Sequence, residues 1–320
     1  MIVVAGEALI DLVPKAGGDA LAPLLPARGG GPYNTAVALG RLGADVAFCS
    51  RISTDAFGAS LVERLHREKV STALLQRGPE PTSLAVTSIG TDGSASYHFY
   101  VDGCADRLFE MPTQLPDTVR ALSVGTCSLV LEPGASAYEQ LMRREAARGT
   151  FVVLDPNVRA GLIPDADAYR ARFLGWLPHV SLLKLSEEDA DWLGYDVEGW
   201  LAAGPAAVVV TRGADGLTVF VRGAGEAWGG EHSVPGVPVD VVDTIGAGDT
   251  VTAALLHALS ARGPLTPEAM AALDGDGWRE VLGLAARAAA LSCSRAGAEP
   301  PYAHELVDRP GPLSSPGRSS

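Results

Sequence analysis

The sequence predicts an α/β fold in which a doubly wound, mainly parallel sheet lies between two layers of helices. Short β-branched runs alternate with longer stretches of helical spacing along most of the chain. The runs are apolar at successive positions, which is typical of strands that are buried on both faces of a parallel sheet. Parallel strands joined by helices need right-handed crossovers, so a repeated β–α order indicates this fold class.

The predicted elements follow one another in a regular order. Each strand that precedes a helix forms one β–α unit with it. The predicted units are 1–6 with 30–43, 44–50 with 57–70, 121–126 with 136–149 and 181–186 with 187–194, and further strands are predicted at 150–157 and 206–213.

Two stretches interrupt this order and predict a small β element. Residues 82–101 alternate with period 2 around a Thr-Asp-Gly turn, which is typical of an antiparallel hairpin. Residues 12–28 lack helical spacing. Together they could form a lid over the main sheet, although a plain edge hairpin is an equal alternative. We predict one domain over 1–308, lid segments at about 12–28 and 82–105, and a disordered tail at 309–320.

Composition and charge exclude several classes of protein. The chain has 320 residues, 47% of them hydrophobic, and a net charge of −13. The negative charge argues against binding to nucleic acid or to a membrane surface. The first residues lack a basic leader and the longest gap between charged residues is 13 residues, so a cytoplasmic protein without a membrane span is expected. Four scattered cysteines predict neither a zinc site nor a disulfide framework.

The segment 239–259, VDVVDTIGAGDTVTAALLHAL, carries the strongest chemical signal. A strand-like run ends at Asp243 and Thr244, and apolar residues with helical spacing then predict a helix that begins near Gly246. Backbone N–H groups at a helix N-terminus are unpaired and lie at the positive end of the helix dipole. Gly246, Ala247 and Gly248 are therefore predicted to form an anion cradle.

Asp249 follows this cradle directly in the sequence. A carboxylate beside a bound anion is unfavourable for binding alone, but it is useful where a hydroxyl group must lose its proton to attack a phosphoryl group. The alternative is a first-turn acid that only stabilises the helix dipole.

The string from Asp243 to Asp249, DTIGAGD, closely resembles the D-T-x-G-A-G-D signature of the ribokinase-like (PfkB) carbohydrate kinases. Walker and Rossmann glycine patterns are not found after a strand. The resemblance implies a ribokinase-like fold, ATP and a small-molecule sugar as ligands, and Asp249 as the catalytic base beside the cradle of Gly246, Ala247 and Gly248.

The N-terminal part of the chain extends this resemblance. Residues 29–34, GGGPYN, resemble a signature in which a di-glycine and an asparagine contact the sugar, and residues 6–11 resemble a first strand whose last aspartate binds sugar hydroxyls. The resemblance implies that Asp11, Gly30, Gly31 and Asn34 bind the sugar. A C-cap turn for the glycines and a helix N-cap for Asn34 are the structural alternatives.

Two further strings resemble the nucleotide side of the family's site. Residues 211–216, TRGADG, resemble its T-x-G-x-x-G turn, which implies that Thr211, Gly213 and Gly216 bind nucleotide, although a plain hairpin is the alternative. The family's N-x-x-E element, which helps to organise Mg²⁺ and phosphate, corresponds here to residues from Lys184 onward and lacks the asparagine. Lys184, Glu187 and Glu188 are the candidates, with a solvated helix start capped by a serine as the alternative.

A monovalent cation, K⁺, is also held by backbone carbonyls in many members of the family. The corresponding residues here are Asp243 and Ile245, with the segment around 297–298 beside the adenine pocket. A lid with exposed strand edges would in addition allow a homodimer.

Local strings indicate the substrate. Residues 6–14, 98–106, 155–159 and 185–189 resemble the bacterial fructokinases of the family, which implies phosphorylation of fructose to fructose 6-phosphate. A 2-keto-3-deoxygluconate kinase or a ribokinase-type kinase is the alternative. A sugar acid needs a cation for its carboxylate, which Arg159, Arg107 or Lys184 could supply, and Arg159 is the candidate substrate-binding residue among them. A non-catalytic binding protein on this fold would be expected to have lost the base or the cradle.

Overall fold

The structure is a computed structural model of the chain, and it describes residues 1–14, 22–89, 95–223 and 226–307. The predicted Thr-Asp-Gly turn, part of the first lid segment and the predicted tail at 309–320 lie outside the described residues.

The described residues form thirteen strands, β1 to β13, in two sheets. In chain order they are Ile2–Ala5, Leu9–Pro14, Leu24–Gly29, Val46–Ser53, Leu75–Gly78, Leu84–Ile89, Ala95–Tyr100, Ala121–Gly125, Phe151–Asp155, Leu182–Ser186, Ala207–Thr211, Leu217–Gly223 and Glu226–Val234.

Nine α-helices, α1 to α9, are present in the same part of the chain. In chain order they are Gly31–Arg41, Ala56–Arg67, Gly134–Ala147, Ala166–Trp176, Glu187–Leu193, Val197–Ala203, Ala247–Arg262, Pro267–Ala271 and Gly275–Cys293.

The larger sheet has nine strands in the order β13-β12-β11-β10-β9-β8-β1-β4-β5. The seven strands from β11 to β5 in this order are parallel, and β12 and β13 add an antiparallel edge. This arrangement confirms the predicted doubly wound, mainly parallel sheet.

Helices cover both faces of this sheet. One buried cluster contains apolar residues of α1, α2, α7, α8 and α9, and a second contains residues of α3, α4, α5 and α6. Neighbouring residues of β1 belong to different clusters, since Val4 packs in the first and Val3 in the second. This explains why the central strands are apolar at successive positions, as the sequence indicated.

The smaller sheet has four strands in the order β3-β2-β6-β7. Strand β2 pairs in parallel with β6, whereas its pairing with β3 and the pairing of β6 with β7 are antiparallel. Strands from both predicted lid segments therefore meet in one small sheet. Its closure over a substrate, the domain limits and a homodimer through its edges stay predictions.

One sequence prediction was wrong. Residues 239–244 do not form a strand, because β13 already ends at Val234 and an irregular segment leads from there to α7. Pro235 and Pro238 lie in this segment and have no N–H group to donate to a neighbouring strand. The N–H groups of Val242 and Asp243 donate instead to the carbonyl oxygen of Cys293 at the end of α9.

Among the helices of the described ranges, none is both long enough and apolar enough to cross a membrane.

Candidate active site

Helix α7 begins where the glycine-rich motif predicted it. Gly246 is the N-cap with φ of +76°, a left-handed conformation that glycine adopts without strain, and no side chain caps this helix end. A Cβ atom on Gly246 would lie 2.7 Å from the Cβ atom of Ala298. The N–H group of Ala247 donates to the carbonyl oxygen of Thr244, 3.2 Å away. The donors that remain for an anion in the first turn are therefore Gly248 and the residue after it.

Asp249 lies in this first turn and its side chain is almost completely buried. Asn34 in the first turn of α1 donates a hydrogen bond from Nδ2 to Asp249 Oδ2, at 2.9 Å. The neighbouring Thr35 hydroxyl donates to the Asp249 carbonyl oxygen at 3.4 Å. The two glycine motifs, which are more than 200 residues apart in the sequence, are thus joined at one point. Helix α1 begins at Gly31 with Gly30 as its N-cap, so the alternative of Asn34 as the N-cap was wrong.

Burial raises the pKa of Asp249 to about 7. The hydrogen bond from Asn34 opposes this rise, because it favours the charged form. The charge of Asp155 raises this pKa further, while Lys184 and Arg159 lower it. A carboxyl group with a pKa near neutrality is well matched to accept a proton at cellular pH. The catalytic role of Asp249 and the alternative of a first-turn acid that only stabilises the helix dipole both stay predictions.

The glycine loop at residues 29–31 comes close to Asp249. A Cβ atom on Gly31 would lie 2.6 Å from Thr126 Oγ1 and 3.2 Å from Asp249 Oδ1. The Gly31 N–H donates to Glu7 Oε1, and Glu7 Oε2 accepts from the Ser128 N–H. The backbone at this point therefore forms part of the wall beside Asp249.

Asp11 lies in β2 and packs against the same loop, since a Cβ atom on Gly29 would lie 2.0 Å from Asp11 Oδ2. Burial raises the pKa of Asp11 to about 6, the charge of Arg159 lowers it and that of Asp243 raises it. Asp11, Arg159 and Asp249 thus belong to one electrostatic neighbourhood.

Arg159 donates to Asn157 Oδ1 at 2.7 Å and to the carbonyl oxygens of Asn157 and Val158, each at 3.2 Å. Arg107 is engaged elsewhere, because it pairs with Asp102 and donates to the carbonyl oxygen of Glu132. Of these two arginines, only Arg159 interacts electrostatically with Asp11 and Asp249.

The structure pairs Lys184, a candidate from the sequence, with an acidic residue that the sequence did not assign to the site. Lys184 in β10 donates from Nζ to Asp155 Oδ2 at the end of β9, at 2.8 Å, and Thr252 of α7 donates to the same oxygen at 3.0 Å. A Cβ atom on Gly248 would lie 3.0 Å from Lys184 Nζ. A signal was present in the sequence, since two charged residues occur in neighbouring buried strands at the end where parallel strands carry their sites.

A cleft of about 490 Å³ opens on the other side of the cradle. Thr211, Gly213 and Gly216 line it at the turn between β11 and β12, and Gly248 lines it at the start of α7. The turn joins two antiparallel strands, so the hairpin is present, and it borders the cleft as well. The rest of the lining is mainly apolar, from Val237, Pro238, Val239, Val241, Val251, Ala286, Ala289 and Ala290. An apolar cleft with a helix N-terminus at its base suits a flat ring with a phosphate tail.

The two acidic candidates at the start of α5 are exposed. Glu187 Oε1 accepts from Arg212 Nε at 3.1 Å, and Glu188 is exposed beside it. Ser186 caps the helix in a capping box with Asp189, as the structural alternative expected. No cluster of three or more metal-binding side chains is found among the described residues. Mg²⁺ usually keeps several waters and takes only one or two carboxylates together with substrate phosphates, so exposed Glu187 and Glu188 fit such an ion.

The loop before α7 is held by the Asp243 side chain. Its Oδ1 atom accepts from the Ile245 N–H at 2.9 Å, and its Oδ2 atom accepts from the Gly297 N–H at 2.8 Å. These bonds connect the cradle to the segment after α9. A monovalent cation on the carbonyl groups of Asp243 and Ile245 stays a prediction.

In this doubly wound sheet a glycine-rich helix start lies between a buried carboxylate and an apolar cleft, an arrangement expected of a phosphotransferase. Comparison with known proteins agrees. Residues 1–305 match the pfkB family carbohydrate kinase, and the chain belongs to this family; it is a sugar phosphotransferase.

Individual relatives are similar over most of the chain. A fructokinase of Rhizobium leguminosarum bv. trifolii is 36% identical over 283 residues, which cover 86% of this chain and 84% of the relative. A crystal structure of a fructokinase with bound ATP from Xylella fastidiosa has 27% identity and a TM-score of 0.85, and 96% of each chain is covered. A fructokinase of Vibrio cholerae in a fructose, ADP and calcium ion bound form has 26% identity and a TM-score of 0.75, with 93% and 94% covered.

Proposed function

We propose that the chain transfers the γ-phosphate of ATP to the 6-hydroxyl group of fructose, with Asp249 as the general base. The observation that carries this proposal is the hydrogen bond between Asn34 Nδ2 and Asp249 Oδ2. It joins the loop that resembles the family's sugar signature to the helix end that can hold a phosphate. A sugar hydroxyl bound at the loop would therefore lie beside both the base and the cradle.

The reaction needs positioning and charge stabilisation more than covalent chemistry. Asp249 accepts the proton of the hydroxyl group as that oxygen attacks phosphorus. The first-turn N–H groups at Gly248 and Asp249 and the Lys184 ammonium stabilise the charge of the transferring group. Glu187 and Glu188 would hold Mg²⁺, which neutralises charge on the ATP phosphates when bound. Closure of the small sheet would exclude water from the site.

ATP fits the apolar cleft beside Thr211, Gly213 and Gly216. The adenine ring would lie against its apolar wall, and the phosphates would point to the start of α7. The ATP-bound fructokinase of Xylella fastidiosa supports this nucleotide, since 96% of each chain is covered in the comparison.

Charges near the base favour a neutral sugar over a sugar acid. Lys184 is already paired with Asp155, and Arg107 is paired with Asp102. Arg159 is the cation that remains on the sugar side, and it interacts electrostatically with Asp11, so a substrate carboxylate there would be opposed by the Asp11 carboxylate. Neutral hydroxyl groups can instead donate to Asp11. The fructokinases among the relatives support fructose as this neutral sugar.

A substrate panel tests the proposal. ADP release should be measured with fructose, 2-keto-3-deoxygluconate, ribose and adenosine, each over a range of concentrations. We expect kcat/KM for fructose to exceed the others by about 10²-fold or more, because unpaired polar groups penalise a wrong substrate strongly. A preference for the keto acid would contradict the choice of sugar. Absence of ADP release with every compound would contradict the assignment as a kinase.

Replacement of Asp11 by alanine should raise the KM for fructose by about 10-fold or more, with a smaller change in kcat, since a charged hydrogen-bond acceptor for the sugar is lost while Asp249 is kept. Steady-state kinetics with fructose varied at saturating ATP check this. Asp191→Asn, an exposed aspartate on α5, serves as the control for loss of one negative charge. An unchanged KM in Asp11→Ala would remove Asp11 from the sugar site.

The pKa of Asp249 predicts the pH dependence of the reaction. The base must be ionised, and burial raises its pKa to about 7, so kcat/KM should fall about tenfold per pH unit below neutrality. Burial also raises the pKa of Glu7 to about 7, whereas it raises the pKa of Asp11 only to about 6. Glu7→Gln should therefore keep the acid limb of the pH profile, whereas the residual activity of Asp249→Asn should lack it. A flat wild-type profile down to pH 6 would contradict the assignment of the base.

A further inference from the structure

The ion pair between Lys184 and Asp155 is among the most buried charged contacts of the described residues. Lys184 is 4% exposed and Asp155 is 7% exposed, and their charged atoms are 2.8 Å apart. Thr252 adds a second donor to Asp155 Oδ2 at 3.0 Å, while Asp155 Oδ1 is buried without a partner. A buried pair of charges is costly to desolvate, so its retention beside a reactive group suggests a functional reason.

The pair lies directly behind the cradle. Lys184 Nζ is within 3.0 Å of the place that a Cβ atom on Gly248 would occupy, and the next residue in the chain is the base. The Thr252 hydroxyl oxygen, which is 3.0 Å from Asp155 Oδ2, is also 3.2 Å from the Gly248 carbonyl oxygen, so its one hydrogen lies between these two acceptors. Two strands of the sheet and the first turns of α7 thus hold the pair in a fixed position relative to Asp249.

We propose that Asp155 and Lys184 form a balanced charge pair in which Asp155, as a positioning residue, holds the Lys184 ammonium beside Gly248 and offsets its effect on the base. This inference rests on the proposed function for the reaction itself, because it assigns Asp155 a part in the transfer that Asp249 and Lys184 carry out. It adds a residue to the site that neither glycine motif contains.

Asp155 is needed beside Lys184 because nearby charges determine the strength of Asp249 as a base. A lone ammonium in this buried position would stabilise the Asp249 carboxylate strongly, because charges interact strongly where water is excluded. A carboxylate stabilised in this way would be a poor acceptor for a hydroxyl proton. Asp155 removes most of this effect, so Lys184 can contact a phosphate without weakening the base.

The groups that face Asp249 make this balance testable. Asn34 of α1 donates to it, Asp155 opposes its ionisation, and Lys184 and Arg159 favour its ionisation. Removal of Asp155 and removal of Lys184 should therefore act in opposite directions on the pKa of Asp249, whereas a pair whose charges do not reach the base would give no such opposition.

The experiment is a pH titration of the free protein labelled with ¹³C at aspartate carboxyl groups, in which the Asp249 signal is assigned by its loss in Asp249→Asn. Asp155→Asn should lower the titration midpoint of Asp249 by about one pH unit or more, and Lys184→Met should raise it by a similar amount. The double variant should return close to the wild type, because both charges are removed together. Asp155→Glu keeps the charge and should leave the midpoint near that of the wild type.

Thermal unfolding of each variant identifies any that fail to fold. If a single variant fails to fold, the Asp249 midpoint of the double variant, which leaves no unpaired charge behind, is compared with that of the wild type. Shifts in the same direction, or no shift in either single variant, would overturn the proposal. The acid limb of kcat/KM should follow the titration. Opposite shifts without turnover of any sugar would support the charge pair and contradict only the proposed function.

Discussion

Replacing Asp249 by asparagine should lower kcat for fructose phosphorylation by about 10²–10⁴-fold, the range expected when a general base is removed. Asparagine has nearly the same shape and can still bond to Asn34, which contacts Asp249 at 2.9 Å. Sugar binding should therefore change little. Steady-state kinetics and calorimetric binding of fructose measure the two effects separately.

The matched control for this substitution is Asp191→Asn, because Asp191 is an exposed aspartate on α5. It should retain the wild-type kcat. Near-normal turnover by Asp249→Asn would contradict its role as the base. A loss of sugar binding equal to the loss of kcat would instead assign Asp249 to binding.

Replacing Gly31 by alanine should lower kcat/KM for the sugar by about 10²-fold, because a displacement of about 1 Å at a catalytic group can have an effect of this size. A Cβ atom on Gly31 would lie 2.6 Å from Thr126 Oγ1 and 3.2 Å from Asp249 Oδ1. The new methyl group must therefore displace Thr126 and crowd the base. Kinetics with fructose, together with thermal unfolding, measure the effect on the site and on stability.

Gly283→Ala is the control for adding one methyl group to a glycine within a helix. A Cβ atom on Gly283 would have Arg287 Nη1 as its nearest neighbour, at 3.6 Å, which is an ordinary contact. This variant should keep both activity and stability. If Gly31→Ala were as active as Gly283→Ala, the close approach of the glycine loop to the base would have no catalytic importance.

The fold was largely predictable from the sequence because its central strands are buried on both faces. In β1, Val3 and Val4 pack against different helix layers, and this produces the continuous apolar runs from which a parallel sheet was predicted. The same criterion misled at residues 239–244. Valines occur there too, but the segment follows two prolines and bonds to the end of α9 rather than to a strand.

From spacing alone the site was predictable only where its residues lie close together in the sequence, whereas Asp11 and Asn34 were assigned by resemblance to the family. The cradle and Asp249 occupy consecutive positions, so spacing alone placed them at one helix end. The contact between Lys184 and Asp155 spans 29 residues and depends on β9 and β10 being neighbours in the sheet. The ion pair of Glu187 with Arg212 similarly depends on how α5 packs beside β11. Contacts of this kind follow from strand order, which local patterns do not determine.

The most direct test of the account is identification of the product. Purified protein should be incubated with ATP, Mg²⁺ and fructose, and the products followed by ³¹P NMR with correlation to the sugar protons. We expect that ATP is consumed in equal amount to a new phosphate ester at carbon 6 of fructose, and that Asp249→Asn forms this ester far more slowly. A phosphate ester at carbon 1, or ATP hydrolysis to inorganic phosphate without any sugar ester, would contradict it.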